Sequence, residues 1–288
     1  MTTTAGPAEH LAPVGEVLRH WRGIRRVSQM DTAHMVHVSP RHLSFVENGH
    51  ARASRELLQR LGHALDIPLR DRNRLLLATG YAPEFRDLHA APHHDPAMLA
   101  TLQQIMQAAE PLPAIVFDRH WNVVALNSGA AIFAEDAAPH LLTPPLSTLR
   151  LLVHPQGIGH RIEDRDRLCR SMIHRLERQI AATGDPTLAA LHAELGQHLP
   201  EATAKPAPAS AAHHASDLAE SFRIAYRGHA LSFISTLAVI GSPRDVLASE
   251  LAIETFYPAD APTRAFLARP DAIAPEHLAI VRALTPAG

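Results

Sequence analysis

Residues 28–49 read SQMDTAHMVHVSPRHLSFVENG, and their caps and spacing decide the fold of the first third of the chain. The hydroxyl of Ser28 can accept from the free amides of a first helical turn, which predicts a helix from Gln29 to about Val36. Ala33 falls mid-helix, where a crossing helix needs a small neighbour. A turn at His37-Val38 leads to Ser39, a second N-cap, and to Pro40, whose missing amide hydrogen costs nothing at the first helical position. This helix runs to Asn48, and Gly49 supplies the left-handed residue that ends it.

On the helix that starts at Pro40, Leu43 and Val46 fall on one side and belong to a core. Arg41, Ser44, Phe45 and Asn48 follow i, i+3, i+4, i+7 on the other. That second set suits a DNA groove: arginine pairs with guanine edges, serine bonds to bases or phosphate, and an aromatic ring packs on a thymine methyl. Phe45 reads equally well as a core residue. Gln29 at one helix start, and Asn48 and Arg52 beyond the next helix, are placed for backbone phosphates.

Working outward, Val14, Val17, Leu18, Trp21 and Ile24 recur at three- and four-residue spacing, so Val14 to Arg25 should be an amphipathic helix. Ser54 opens a fourth helix with Leu57, Leu58, Leu61 and Leu65 inward, and Pro68 a fifth with Leu69, Leu75, Leu76 and Leu77 apolar. The five helices fill residues 14–80 as one all-α domain. Residues 1–83 carry 11 Arg against 7 Asp and Glu, a net charge of +4 in a chain whose total is -2. The front end alone therefore favours a polyanion.

These residues resemble the lambda-repressor-like, xenobiotic-response-element type of helix-turn-helix. The match is carried by Ser28-Gln29, Ala33 and the phrase from Ser39 to Gly49. With Pro68 to Asn73 and Gly80-Tyr81-Ala82-Pro83, the chain more narrowly resembles the MmyB-like regulators, which join this domain to a PAS-type ligand-binding domain. The resemblance implies a third helix seated in the major groove, with Gln29, Ser39, Arg41, His42, Ser44, Phe45, Asn48 and Arg52 as the DNA-facing set. His37 stands where that family has a turn glycine, and His50-Ala51-Arg52-Ala53 lacks the usual arginine and proline. Both departures bear on phosphate contacts rather than on the docking mode.

Residues 84–96 are Pro-, Ala- and His-rich and read as a linker to a second domain, 97–288. That domain begins with a helix from about Pro96 to Ala109, a hairpin of Ile115–Phe117 and Asn122–Leu126, and a helix from Asn127 through Phe133. A charged helix from Ile162 to Thr183 and a shorter one from Pro186 to His198 follow. Strands SFRIAY and ALSFISTLAVIG flank a turn at Arg227-Gly228-His229, and Val246 to Phe256 is read as strand. The tail from Ala261 is expected to be helical. The expected fold is α+β, PAS-like, with an antiparallel sheet. Trp121–Asn127, Arg150–Gly157, His174–Pro186 and Glu250–Asp260 all resemble the MmyB-like ligand-binding domain.

The resemblance implies a pocket for a small apolar, fatty-acid-like ligand. Its wall candidates are Ile115, Phe117, Val124, Phe133, Phe222 and Phe233, with Arg150 and His154 to meet a carboxylate; ordinary core packing is the competing reading for each wall residue. No cofactor is implied. A catalytic constellation is missing: there is no Gly-x-Ser-x-Gly, no Gly-rich phosphate loop and no His-Glu-x-x-His. Adjacent His93, His94 and Asp95 lack converging partners, so no metal site is expected, and Cys169, the only cysteine, excludes an intramolecular disulfide. Lacking a spanning apolar run or a leader pattern, the chain is expected in the cytoplasm. It should be a homodimeric, DNA-binding transcription regulator that senses a ligand. The alternative is a ligand-independent regulator whose second domain serves only for dimerisation.

Overall fold

The computed structural model describes residues 12–86, 96–199, 220–239 and 245–284. The chain forms two compact units, Met1–Asp87 with Ser242–Ser249, and Leu88–Gly241 with Glu250–Gly288. The first unit holds α1 (Val14–Arg25), α2 (Gln29–Met35), α3 (Pro40–Glu47), α4 (Arg55–Ala64) and α5 (Leu69–Ala78). Three helix starts are set by serine: Ser28 accepts the amide of Asp31, Ser39 that of His42 and Ser54 that of Leu57. Each bond satisfies a donor that the first turn leaves without an intrahelical partner.

Leu18 and Trp21 of α1, Leu43 of α3, Leu61 of α4 and Leu75 of α5 meet in one core. Gly15 lets α1 close on the end of α3, because a Cβ there would sit 1.7 Å from the Glu47 carbonyl oxygen. The Glu47 side chain is itself buried and accepts from Arg22 Nε at 2.7 Å and Nη2 at 3.0 Å. Such partners are what a buried carboxylate requires. A single helical turn, Val246–Ser249, belongs to the same unit, with Val246, Leu247 and Ala248 buried and the Val246 amide donating to the Arg86 carbonyl at 3.0 Å.

The second unit contains α6 (Pro96–Ala109), β1 (Ala114–Phe117), β2 (Val123–Leu126), α7 (Thr148–Val153), β3 (Ile162–Glu163), α8 (Arg165–Thr183) and α9 (Pro186–Gly196). It continues with β4 (Glu220–Tyr226), β5 (His229–Val239), β6 (Ala252–Pro258), α10 (Ala261–Leu267) and α11 (Pro275–Leu284). The strands form one antiparallel sheet in the order β2-β1-β6-β5-β4-β3. The β4–β5 turn puts Arg227 at φ 47° and Gly228 at φ 75°, the pair of positive values that a two-residue hairpin turn needs. One sheet face packs on α6 through Leu102 and Met106, and the other faces the main core of Phe222, Phe233 and Phe256 with α8. Asn127 ties these parts together: Oδ1 accepts from the amides of Ala114 and Ala130, and Nδ2 donates to the carbonyls of Met106 and Leu112.

The unit is α+β, as the sequence predicts, with three local differences. The long charged helix begins at Arg165, since Ile162–Glu163 pairs with β4 and Asp164 takes φ 56° between strand and helix. The stretch Val246 to Phe256 splits into the helical turn of the first unit and the strand β6 of the second, because only the second half finds sheet partners on both sides. The segment predicted as a helix from Asn127 is a 3-10 helix, Ser128–Ala134.

Candidate DNA-reading surface and ligand cavity

In the first unit α3 presents Arg41, His42 and Phe45 to solvent, with Asn48 exposed at its C-cap and Ser44 half-buried, while Leu43, Val46 and Glu47 face inward. Phe45 is 41% exposed, which places it on the surface rather than in the core. The Arg41 guanidinium lies 5.4 Å from the Phe45 ring centre, and the His50 ring meets the same ring edge-on at 6.0 Å. A cation over an aromatic face is held without being neutralised, so the charge stays available to a groove. The Ser39 hydroxyl caps α3 by accepting the His42 amide at 3.1 Å.

Two residues predicted to meet phosphates are engaged within the unit. The Gln29 side-chain amide donates to Glu47 Oε2 at 2.8 Å, because the buried carboxylate sits directly against the start of α2. Arg52 donates to the Thr79 carbonyl at 2.6 Å and lies over the Tyr81 ring at 5.0 Å, closing the end of α5. Conversely, Arg19 of α1 donates to the Asn48 side chain at 3.3 Å with its own side chain 47% exposed, adding a cation at the α3 edge that spacing along α3 could not reveal. His37 sits between α2 and α3 at φ 54°, the left-handed region where a side chain costs energy.

The second unit holds a cavity of about 110 Å³ between the sheet and its covering helices. Ile115, Phe133 and Phe222 line it, as do Trp121, Leu149 and Met172. Among the described lining residues the polar contributions come from Thr148, Ser235 and Glu254, and none is Arg, Lys or His. Of the remaining predicted walls, Phe117 and Phe233 stand behind the lining, stacked on Trp121 (5.1 Å) and tilted against Phe222 (5.8 Å) respectively. Val124 turns to the opposite sheet face and packs with Leu102 and Met106, the consequence of period-two alternation along β2.

The predicted anchors Arg150 and His154 do not line the cavity. Arg150 is held by Glu194 through two hydrogen bonds of 2.7 Å, which raise the pKa of the guanidinium and hold the Glu194 carboxyl below the usual carboxylate range. His154 lies beside the His198 and His140 rings at 4.9 and 5.4 Å; partial burial, then those two rings, lower its pKa. Burial likewise pushes the Cys169 thiol up, the behaviour of an inert core cysteine. Among the described residues no three His, Cys, Asp or Glu side chains converge as a metal site; His93, His94 and Asp95 lie outside them.

A family model described as the MmyB-like transcription regulator ligand binding domain matches residues 99–269, and one described as helix-turn-helix matches residues 18–71. The chain belongs to the MmyB-like transcription regulators. A search among curated proteins finds no match. In this MmyB-like chain the helix-turn-helix match contains α2 and α3, and the ligand-binding match contains the cavity's sheet walls. Both domains are typical of transcription regulators. No helix among the described residues is long and apolar enough to cross a membrane.

Proposed function

We propose that this regulator binds its operator as a homodimer in the cytoplasm, reads base edges with Arg41 and Phe45 of α3, and changes its DNA affinity when a small apolar molecule enters the cavity. The observation that carries this reading is the cavity itself. Protein interiors are close-packed, and an apolar space of about 110 Å³ against the sheet of the matched ligand-binding domain is unfilled by the chain's own side chains. A ligand shifts DNA affinity only by as much as it binds one arrangement of the regulator better than another.

The test is selection of bound sequences from a random DNA pool with and without an apolar cell extract, paired with native mass spectrometry of the full chain. A recovered operator whose affinity changes with the extract, together with a co-purifying lipid mass, is the expected outcome. An operator bound equally in both conditions by a chain of unadorned mass overturns the sensing part of the reading. On the recovered operator, Arg41→Ala should lose about 1–3 kcal/mol at one base position. Binding unchanged across single-base operator variants would contradict that role.

A further inference from the structure

The cavity has a wall that lies outside the matched ligand-binding segment. That segment ends at residue 269, whereas α11 (Pro275–Leu284) contributes Ile280, Val281 and Leu284 to the lining. The three positions follow i, i+1, i+4 and so share one helix face. Phe133 and Ala134, from the 3-10 helix Ser128–Ala134, line the same space.

The start of this wall is fixed by polar bonds. The hydroxyl of Tyr226, a fully buried residue at the end of β4, accepts the Ala274 amide at 3.0 Å and lies 3.0 Å from His277 Nδ1. Arg227, next along the chain, donates to the Asp271 carbonyl at 2.7 Å. These bonds set where the first turn of α11 stands relative to the sheet. Further along the helix Val281 is buried, and Ile280 and Leu284 are half-buried. Their side chains meet the cavity through apolar surface alone, so what they contribute is shape.

We propose that α11 is the ligand-selecting wall of the cavity, with Ile280 and Leu284 setting the length of apolar chain it admits. The inference rests on the reading of the cavity as a ligand site. It assigns selectivity to residues that the shared domain does not supply. The ligand chemistry follows from the same lining: with Thr148, Ser235 and Glu254 as its polar groups and no cation among the described residues, the cavity suits an apolar chain ending in a neutral hydroxyl better than one ending in a carboxylate. A carboxylate inside would share that space with the Glu254 side chain and have no cationic partner there.

The probe is therefore a series of straight-chain primary alcohols from butanol to decanol, which brackets what a space of about 110 Å³ admits, bound to the full chain and read by thermal shift and, in a Trp21→Phe background, by titration of Trp121 emission. Trp121 lines the cavity. The chain should bind this series with an optimum length. Ile280→Ala with Leu284→Ala should favour the longer alcohols, changing the ratio of long- to short-chain affinity by about tenfold or more, since a single methylene in a closed apolar pocket is worth roughly that much. Leu284→Trp, at a half-buried position, should shift preference to the shorter members by a similar factor. Leu278→Ala on the same helix, a residue outside the lining, should leave the profile where it was.

An unshifted profile in both Leu284 variants overturns the role of α11 and leaves the cavity a ligand site. No binding of any alcohol to the unmodified chain overturns the ligand-site reading itself, and the inference with it.

Discussion

The two units use their interiors in opposite ways. In the first, apolar side chains close around a buried carboxylate, Glu47, which accepts from Arg22 and Gln29, so that the helix carrying it is held from behind. Its outward face, with Arg41 and Phe45, is then free of structural duty. In the second, the core stops short of closing and leaves a space lined by Trp121, Phe133 and Met172. A fully packed interior presents a surface; an incomplete one ties stability to whatever fills it. Saturation at a hundredfold excess over Kd would stabilise the second unit by about 2.7 kcal/mol and the first not at all. Each unit carries one of the two tryptophans, Trp21 and Trp121, both buried, so emission in a Trp→Phe background reports one unit at a time.

The largest break in that comparison should come from Glu47→Ala. It leaves the Arg22 guanidinium, whose side chain is 16% exposed, without its bidentate acceptor, and such a change costs about 3–5 kcal/mol. Urea unfolding followed by Trp21 emission in a Trp121→Phe background measures it, and a loss below about 1 kcal/mol would remove the ion pair from the account of α3. The same chemistry applied to both cores sharpens the contrast. Leu61→Ala in the packed unit should cost about 3–5 kcal/mol, and Leu149→Ala beside the cavity about 1–2 kcal/mol less, because a residue facing a void has already lost contacts on that side. Equal losses would mean that the cavity is filled or collapsed in solution.

The units also differ in how much of them the sequence displays. Ser28, Ser39 and Ser54 cap helices through bonds that span three residues, so their meaning is local and readable. The exposed face of α3 follows from the helical period in the same way. What escapes is non-local: Gln29 is taken by Glu47 across 18 residues, and Arg150 by Glu194 across 44. Nothing in the surroundings of either residue in the chain announces its partner. Ile162–Glu163 looks like the apolar start of a helix until β4 arrives to pair with it. The cavity is the least legible part, because its walls run from Ile115 to Leu284 and an aromatic that lines a space has the same neighbours in sequence as one that fills it.

A smaller effect is expected at the turn between α2 and α3. His37 takes φ 54°, and relief of left-handed strain by His37→Gly is offset in part by the greater freedom of glycine in the unfolded chain. A net gain of about 0.5–1 kcal/mol in Trp21-reported stability is expected. A loss instead would show that the imidazole makes a contact worth more than the strain.

The smallest effect should be one of pH, confined to the second unit. His154 Nδ1 accepts the Gln156 amide at 3.1 Å, and partial burial and the His198 and His140 rings lower its pKa, with Glu194 opposing them. The unfolded chain takes up a proton at about pH 6.5, before the folded unit does. Stability is therefore intact above that value and falls with acidification until the lower folded pKa is passed. The urea midpoint reported by Trp121 in a Trp21→Phe background should drop as the pH falls through about 6.5, and His154→Gln should flatten that slope. The Glu194 carboxyl, depressed by Arg150, loses its contribution at lower pH, from the ordinary carboxylate range downward to its depressed folded value, so the two titrations separate along the pH axis. A slope unchanged in His154→Gln would assign the acid sensitivity to another group of the unit.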